Sequence, residues 1–235
     1  MKLSKSLYTR AIQCQKSLWL KKHNKDVLTP PNAAAQAIFE NGNEVGDLAC
    51  KLFPNGVEIP YLNTTFQDKI NLTQEYINQG IQNIYEATFE FDGILIMIDI
   101  LNIKDNSVII NEVKSSTQVK DIYLHDASIQ YYVLNGLGYD VKKVNIIHIN
   151  NEYVRDEELD INQLFSIVDV TYEVKELQSN IKNNLEIFRK TLAKEDEPNI
   201  DIGTHCNDPY ECDAKNYCWS HIPNYSIFDI SRLKS

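Results

Sequence analysis

No apolar run in this chain approaches the length needed to cross a bilayer, so no membrane-spanning helix is expected. The N-terminus, MKLSKSLYTR, has neither the apolar core nor the small-residue cleavage site of a secretory signal, and a cytoplasmic location is expected. Internal repeats and low-complexity segments are also missing, and 235 residues suffice for one large domain or a domain with an appendage. Net positive charge is absent. The formal charge of −10 argues against a generally adhesive nucleic-acid binder, because phosphate affinity comes from clustered Lys and Arg. An even cysteine count is absent too: five cysteines in a reducing compartment argue against a disulfide framework and for metal ligation by some of them. Locally, acidic residues are missing from Met1 to Lys25, where Lys2, Lys5, Arg10, Lys16, Lys21, Lys22 and Lys25 leave a basic segment that is either a solvated face or a phosphate contact.

The stretch GILIMIDILNIKDNSVIINEVK, from Gly93 to Lys114, organises what is present. Its Ile-rich first half is too short for a buried helix and reads as a buried strand, with Ser107 to Lys114 as the partner. Asp105 and Asn106 tolerate the positive φ of a two-residue hairpin turn. With Lys104 opposite Ser107, Leu101 pairs with Ile110 and Asp99 with Glu112, and Lys114 shares the face of Glu112. Facing carboxylates on neighbouring strands repel, and a divalent cation such as Mg²⁺ or Mn²⁺ would relieve that repulsion. A lysine beside it can orient water or stabilise charge on a phosphate. An edge hairpin with its charged face in water would show the same pattern.

Around this hairpin the sequence predicts an amphipathic helix from Ser4 to His23, a second from about Ala33 to Leu52, a short strand at Val57 to Ile59 and a helix from Phe66 to Gln79. On the second helix Glu40, Glu44 and Asp47 share a face, which could turn to the hairpin or to solvent. A strand at Asn83 to Phe91, a helix from Lys120 to Leu137 carrying Gln130 and Tyr131, and a strand at Lys143 to Ile149 parallel to a hairpin strand follow. Asn150 to Asp169 reads as acidic and irregular, and Tyr172 to Lys194 as a long helix. In the tail, HCNDPYECDAKNYCW, Cys206, Cys212 and Cys218 recur every six residues. A tetrahedral zinc or a cubane cluster needs a fourth ligand, for which Cys14 and Cys50 are candidates, with His205 or His221 possible for zinc.

Asp99, then Glu112-Val113-Lys114, then a helix bearing Gln130, together resemble the PD-(D/E)XK nuclease superfamily in its RecB-like branch. One N-terminal cysteine with a distant C-terminal triplet is similar to the iron–sulfur subgroup of that branch, which includes the CRISPR-associated spacer-trimming nuclease and the AddB nuclease domain. The wording resembles most a bacterial family with LSKSxYxxxxQCxKxLWL, GxEVGxLA, EVKSST, DxxxQYYVL and HCxxPYxCxxxxYCW, matched over nearly the whole chain.

The resemblance implies an α/β fold: a restriction-endonuclease-like mixed sheet flanked by helices, with a helical iron–sulfur appendage joining the termini. It implies a basic helix at 1–28, a nuclease core at 29–169, and a long helix with the cysteine segment at 170–235. Asp99 and Glu112, with the Val113 carbonyl, become ligands of Mg²⁺ or Mn²⁺, Lys114 the catalytic lysine, and Gln130 the following motif. Cys14, Cys206, Cys212 and Cys218 become ligands of a structural 4Fe-4S cluster, zinc being the alternative occupant; Cys50 is left for the core. The histidine usual in this family near Gly42 to Gly46 is missing, and Glu44 is the replacement ligand, with Asp47 behind it. Leu134 stands where a tyrosine is usual, leaving Tyr131 as substitute. Each neighbouring pair of tail cysteines is separated by five residues instead of the common C-x-x-C. Lys16, Lys21, Lys22 and Tyr131 are the expected nucleic-acid contacts. The expected function is metal-dependent DNA hydrolysis, of exonuclease type on single strands or ends, in repair, recombination or defence. A non-catalytic nucleic-acid-binding or scaffold module is the alternative. That family usually continues past the cysteines, so either a further C-terminal domain or a protein partner, or a naturally short member of the family, is expected.

Overall fold

The computed structural model describes residues 2–104, 107–223 and 225–229. A seven-stranded mixed sheet runs in the order β2-β3-β4-β5-β6-β7, with β1 added against β4. Its strands are β1 (Leu3–Ser4), β2 (Val57–Glu58), β3 (Asn83–Phe91), β4 (Ile94–Lys104), β5 (Ser107–Lys114), β6 (Asp140–Ile149) and β7 (Phe165–Asp169). The helices are α1 (Lys5–Gln13), α2 (Gln15–His23), α3 (Ala33–Cys50), α4 (Phe66–Asn78), α5 (Asp121–Gly136), α6 (Ile161–Leu164), α7 (Thr171–Leu192) and α8 (Lys215–Cys218). Among the described residues no helix is long and apolar enough to cross a membrane.

Strands β3, β4 and β5 are antiparallel neighbours, and the α5 crossover brings β6 back parallel to β5, as the hairpin and helix pattern predicts. The hairpin register also matches the expectation, with Lys104 opposite Ser107 and Leu101 opposite Ile110. The predicted turn at Asp105 and Asn106 lies outside the described residues. Adjacent residues of β6 divide between two cores, since Ile146 joins the main one and Ile147 a smaller one, so the two cores lie on opposite faces of the sheet. The main core packs the sheet against α1, α4, α5 and α7 through residues such as Tyr8, Ile129, Val133, Ile181 and Leu185. The smaller core joins Val45 and Ala49 of α3 to Ile100, Ile147 and Phe165.

Two expectations are corrected here. The single helix over Ser4 to His23 is two helices, because Cys14 is extended at φ −160° and ψ 117°. Its N–H still closes on the Arg10 carbonyl and its own carbonyl accepts from the Leu18 N–H, so the break changes direction while both backbone groups of Cys14 stay paired. The segment Asn150 to Asp169 is not irregular throughout. It holds the one-turn helix α6, capped by the Asp160 carboxylate, and strand β7, which closes the sheet antiparallel to β6.

Candidate functional site

The sheet is irregular where the site lies. In the β3–β4 ladder Tyr85 pairs with Ile100 and Ala87 with Ile98, but the intervening pair, Glu86 and Asp99, is missing, and Glu86 has φ +57°. A positive φ in a bulky residue rotates the strand locally. The apolar alternation changes phase at this point: Ile94, Ile96 and Ile98 line the main core, as does Leu101, while Ile100 turns to the other face. On the other side, the β4–β5 ladder ends at Ile100 and Asn111, one step short of Asp99 and Glu112. Asp99 uses the freed position to accept from the Val113 N–H through Oδ2 at 2.7 Å.

Glu112 is the centre of the cluster, with its side chain only 2% exposed. Its Oε1 accepts from Lys114 Nζ at 2.6 Å and from Lys5 Nζ at 3.0 Å. Its Oε2 accepts from Gln130 Nε2 at 2.7 Å and from Lys5 at 3.1 Å. Asp126 and Gln130 are four apart on α5 and therefore share a face; Asp126 Oδ2 takes a second bond from Lys114. Lys5 Nζ also stands 3.9 Å from Asp99 and 3.8 Å from Asp126. Three carboxylates thus surround two ammonium groups.

The ionisation of these groups follows from burial and charge. Burial pushes the Glu112 carboxyl up, but the Lys114 and Lys5 ammoniums together pull it well below the usual range. Asp99 moves the other way, to about 7, through burial and the neighbouring Glu112 charge. Asp126 is raised for the same two reasons. Burial works against the charged forms of Lys114 and Lys5, yet the surrounding carboxylates raise both. Glu86 is raised by burial first and is lowered by Lys5, so its charge reaches the same centre. The arrangement is a buried, ionised carboxylate flanked by two lysines, with carboxylates beside it that titrate more readily. Asp126 Oδ1 and Gln130 Oε1 are buried there without a hydrogen-bond partner.

The structure brings together Asp99, Glu112, Lys114 and Gln130, and the Val113 backbone with them. Glu44 is not among them. It is exposed on α3, whose buried face is Val45 and Ala49, and no hydrogen bond or ion pair joins it to the site. Asp47 is exposed on the same helix, and burial pushes the nearby Cys50 thiol up to about 12, with the Asp47, Glu58 and Asp99 charges adding to the rise. Tyr131 packs partly buried on the main core, and Lys16 is paired with Glu197 at 2.7 Å; Lys22 is exposed and Lys21 half-buried. Lys5 and Asp126 are the residues sequence reasoning missed. The spacing of Asp126 and Gln130 within DxxxQYYVL was a usable signal for one. Lys5 lies inside LSKSxY, but nothing local ties it to its partner Glu112, 107 residues away.

The second cluster lies where α2 meets the tail. Cys14, Cys206, Cys212 and Cys218 line one small cavity with Lys16, Ser17 and His205, and none is in a disulfide. Of the two candidates for a fourth ligand, Cys14 joins the tail, whereas Cys50, the last residue of α3, packs against the smaller core. Burial raises the Cys14 and Cys218 thiols, and the other cysteines of the set add to the rise. The tail is fixed to α1 by a two-pronged pair from Arg10 to Asp213 at 2.7 and 2.8 Å and by Gln13, whose Nε2 donates to the His205 and Tyr210 carbonyls. The Tyr210 hydroxyl in turn donates to Tyr123, whose ring lies 5.2 Å from Lys114 Nζ.

Among the described residues, no three His, Cys, Asp or Glu side chains stand in ready metal-holding geometry. Around Glu112 the ammonium groups take up the space between the carboxylates. The donor sets nonetheless fit the groups in question. Carboxylates with unpartnered buried amide and carboxylate oxygens suit a hard divalent cation, and four thiols on one cavity suit iron–sulfur or zinc.

No protein-family model matches the chain, and no curated protein is similar to it. Among solved structures it is similar to the crystal structure of SSO0001, with a TM-score of 0.39 and 11% identity, over 95% of this chain and 86% of that one.

Proposed function

We propose that this protein is a divalent-metal-dependent nuclease with a restriction-endonuclease-like core, hydrolysing phosphodiester bonds of DNA at single strands or ends. The observation that carries the reading is the convergence on Glu112 of Lys114 from its own strand and Gln130 from the crossover helix, with Asp99 held beside them by the Val113 N–H. Asp99, Glu112 and the Val113 carbonyl would hold Mg²⁺ or Mn²⁺. Such an ion supplies Lewis-acid polarisation of the phosphate and lowers the pKa of water. Lys114, already charged and buried against Glu112 and Asp126, stabilises negative charge as it builds on the phosphate oxygens. Gln130 orients Glu112 by holding one of its oxygens.

Cys14, Cys206, Cys212 and Cys218 would hold a structural 4Fe-4S cluster, with zinc as the alternative occupant. The role is structural because the cavity is set between α2 and the tail, apart from the carboxylates. The test is an anaerobic cleavage assay with Mn²⁺ or Mg²⁺ on end-labelled single- and double-stranded DNA, beside Glu112→Ala and Lys114→Ala proteins. Cleavage by the natural protein that is lost in both variants is the expected result. Equal cleavage by all three overturns the assignment, and cleavage by none replaces it with a nucleic-acid-binding module.

A further inference from the structure

Among the described residues, Lys5 is the one cation placed among all three carboxylates. Its Nζ lies 3.0 Å from Glu112, 3.9 Å from Asp99 and 3.8 Å from Asp126, whereas Lys114 pairs closely with Glu112 and Asp126 alone. It arrives from outside the hairpin, on the first turn of α1, immediately after the two-residue strand that pairs with Ile94 and Leu95. The Ser4 hydroxyl accepts from the Leu7 N–H, so the start of the helix, and the root of the Lys5 side chain, is fixed by its own cap. The ammonium therefore stands at a defined place.

That place is where a cation shared by these carboxylates belongs. Fully ionised, Asp99, Glu112 and Asp126 bring three negative charges to the two positive charges on Lys5 and Lys114, and Glu86 adds its own to the same centre, so the ionised cluster is short of positive charge. Exchanging Lys5 for a divalent ion adds one positive charge, and Asp126 Oδ1, which is buried without a hydrogen-bond partner, gains a cation to coordinate. We propose that Lys5 is an internal counter-ion that occupies the divalent-cation position in the metal-free protein and must leave it when Mg²⁺ or Mn²⁺ enters. This rests on the metal-dependent reading of the site and adds a residue to it. The lysine keeps the buried carboxylates paired when no metal is present, at the cost of competing with the metal for Glu112.

Two measurements that do not read cleavage test the proposal. The first is Mn²⁺ binding, followed by electron paramagnetic resonance of the free ion, for the natural protein, Lys5→Met, Lys5→Arg, Glu112→Gln and a Lys2→Met control, whose native ammonium pairs only with the distant Glu90. Lys5→Met is expected to bind about tenfold or more tightly, since an ion pair no longer has to be broken. Lys5→Arg and Lys2→Met should not gain affinity. The second uses the natural protein alone, so it does not depend on a variant folding: acetylation of Lys5 by a water-soluble reagent, read by peptide mass spectrometry, should quicken severalfold when Mg²⁺ is added, while Lys2 reacts at an unchanged rate. If Lys5→Met and the natural protein bind Mn²⁺ equally and Glu112→Gln does not, the metal reading stands and the proposal is overturned. Unchanged Lys5 acetylation on adding Mg²⁺ overturns it too. If no protein binds Mn²⁺, the metal reading fails and the proposal falls with it.

Discussion

The charge count around Glu112 makes an unequal prediction for two substitutions that each remove one ion-pair partner. Lys114→Met leaves three carboxylates facing only Lys5, and Glu112, with its side chain 2% exposed, loses its shortest bond, 2.6 Å from Lys114 Nζ. Breaking a buried pair so that charge is left uncompensated costs roughly 3–5 kcal/mol. Glu112→Gln takes the count the other way. Lys5 and Lys114 keep Asp99 and Asp126, two against two, and the new amide can turn its oxygen to the lysines and its NH2 to Gln130, whose own amide, turned over, offers the otherwise unpartnered Oε1. The loss there is about 1–2 kcal/mol, the scale of charge-assisted bonds exchanged for neutral ones. Urea unfolding followed by tryptophan fluorescence, without added metal, measures both, with matched m-values as the check that the same transition is compared. The reasoning is refuted if Glu112→Gln is the more damaging of the two, because that would mean the cluster is short of negative charge.

Three further outcomes follow from other parts of the structure. Asp213 is raised by burial but held lower overall by its two bonds from Arg10, so its folded pKa lies below its unfolded one. Its stabilisation is present above the ordinary carboxylate range and disappears as pH falls through the folded value; the gap in melting temperature between the natural protein and Asp213→Asn should therefore be widest near pH 7 and close on acidification. A Cβ on Gly136 would lie 2.2 Å from the Phe91 ring, so Gly136→Ala should cost about 1–3 kcal/mol by overpacking, read by urea unfolding. Cys14→Ser and Cys206→Ser should each lose bound iron and melt about 5 °C or more lower, at roughly 2–4 °C per kcal/mol for a chain of this size. Full metal content and an unchanged melting temperature in both would remove the cysteine cavity from the account.

Much of the sheet was legible because its determinants are local. The Ile-rich strands and the spacing from Ser107 back to Leu101 are properties of adjacent residues, and the register they predict is the one observed as far as Ile100 and Asn111. What failed depends on distant partners. Strand β7 is only five residues long and follows an acidic, polar stretch, so without β6 beside it the segment reads as loop. The break at Cys14 leaves the apolar spacing from Leu7 to Leu20 uninterrupted, and only the tail that Cys14 faces gives it a purpose. Glu44 was chosen by spacing, but the helix turns the Val45 and Ala49 face to the sheet, and nothing in an acidic stripe says which side will be buried. The centre assembles from Lys5, Asp99, Glu112 and Asp126, residues separated by up to 121 positions in the sequence. Asp99, Glu112, Lys114 and Gln130 carried a motif that assigned them roles in advance, whereas Lys5 and Asp126 lay inside LSKSxY and DxxxQYYVL with no role attached.

The central claim is that Lys114, fixed between Glu112 and Asp126, acts on a phosphate. Its most direct test is single-turnover cleavage of saturating end-labelled DNA with Mn²⁺, comparing natural and Lys114→Ala proteins matched in iron content and Mn²⁺ occupancy. The account predicts a rate at least about a hundredfold lower in the variant, the loss expected when a preorganised charge at the reacting group is removed. Equal rates at equal occupancy would contradict it.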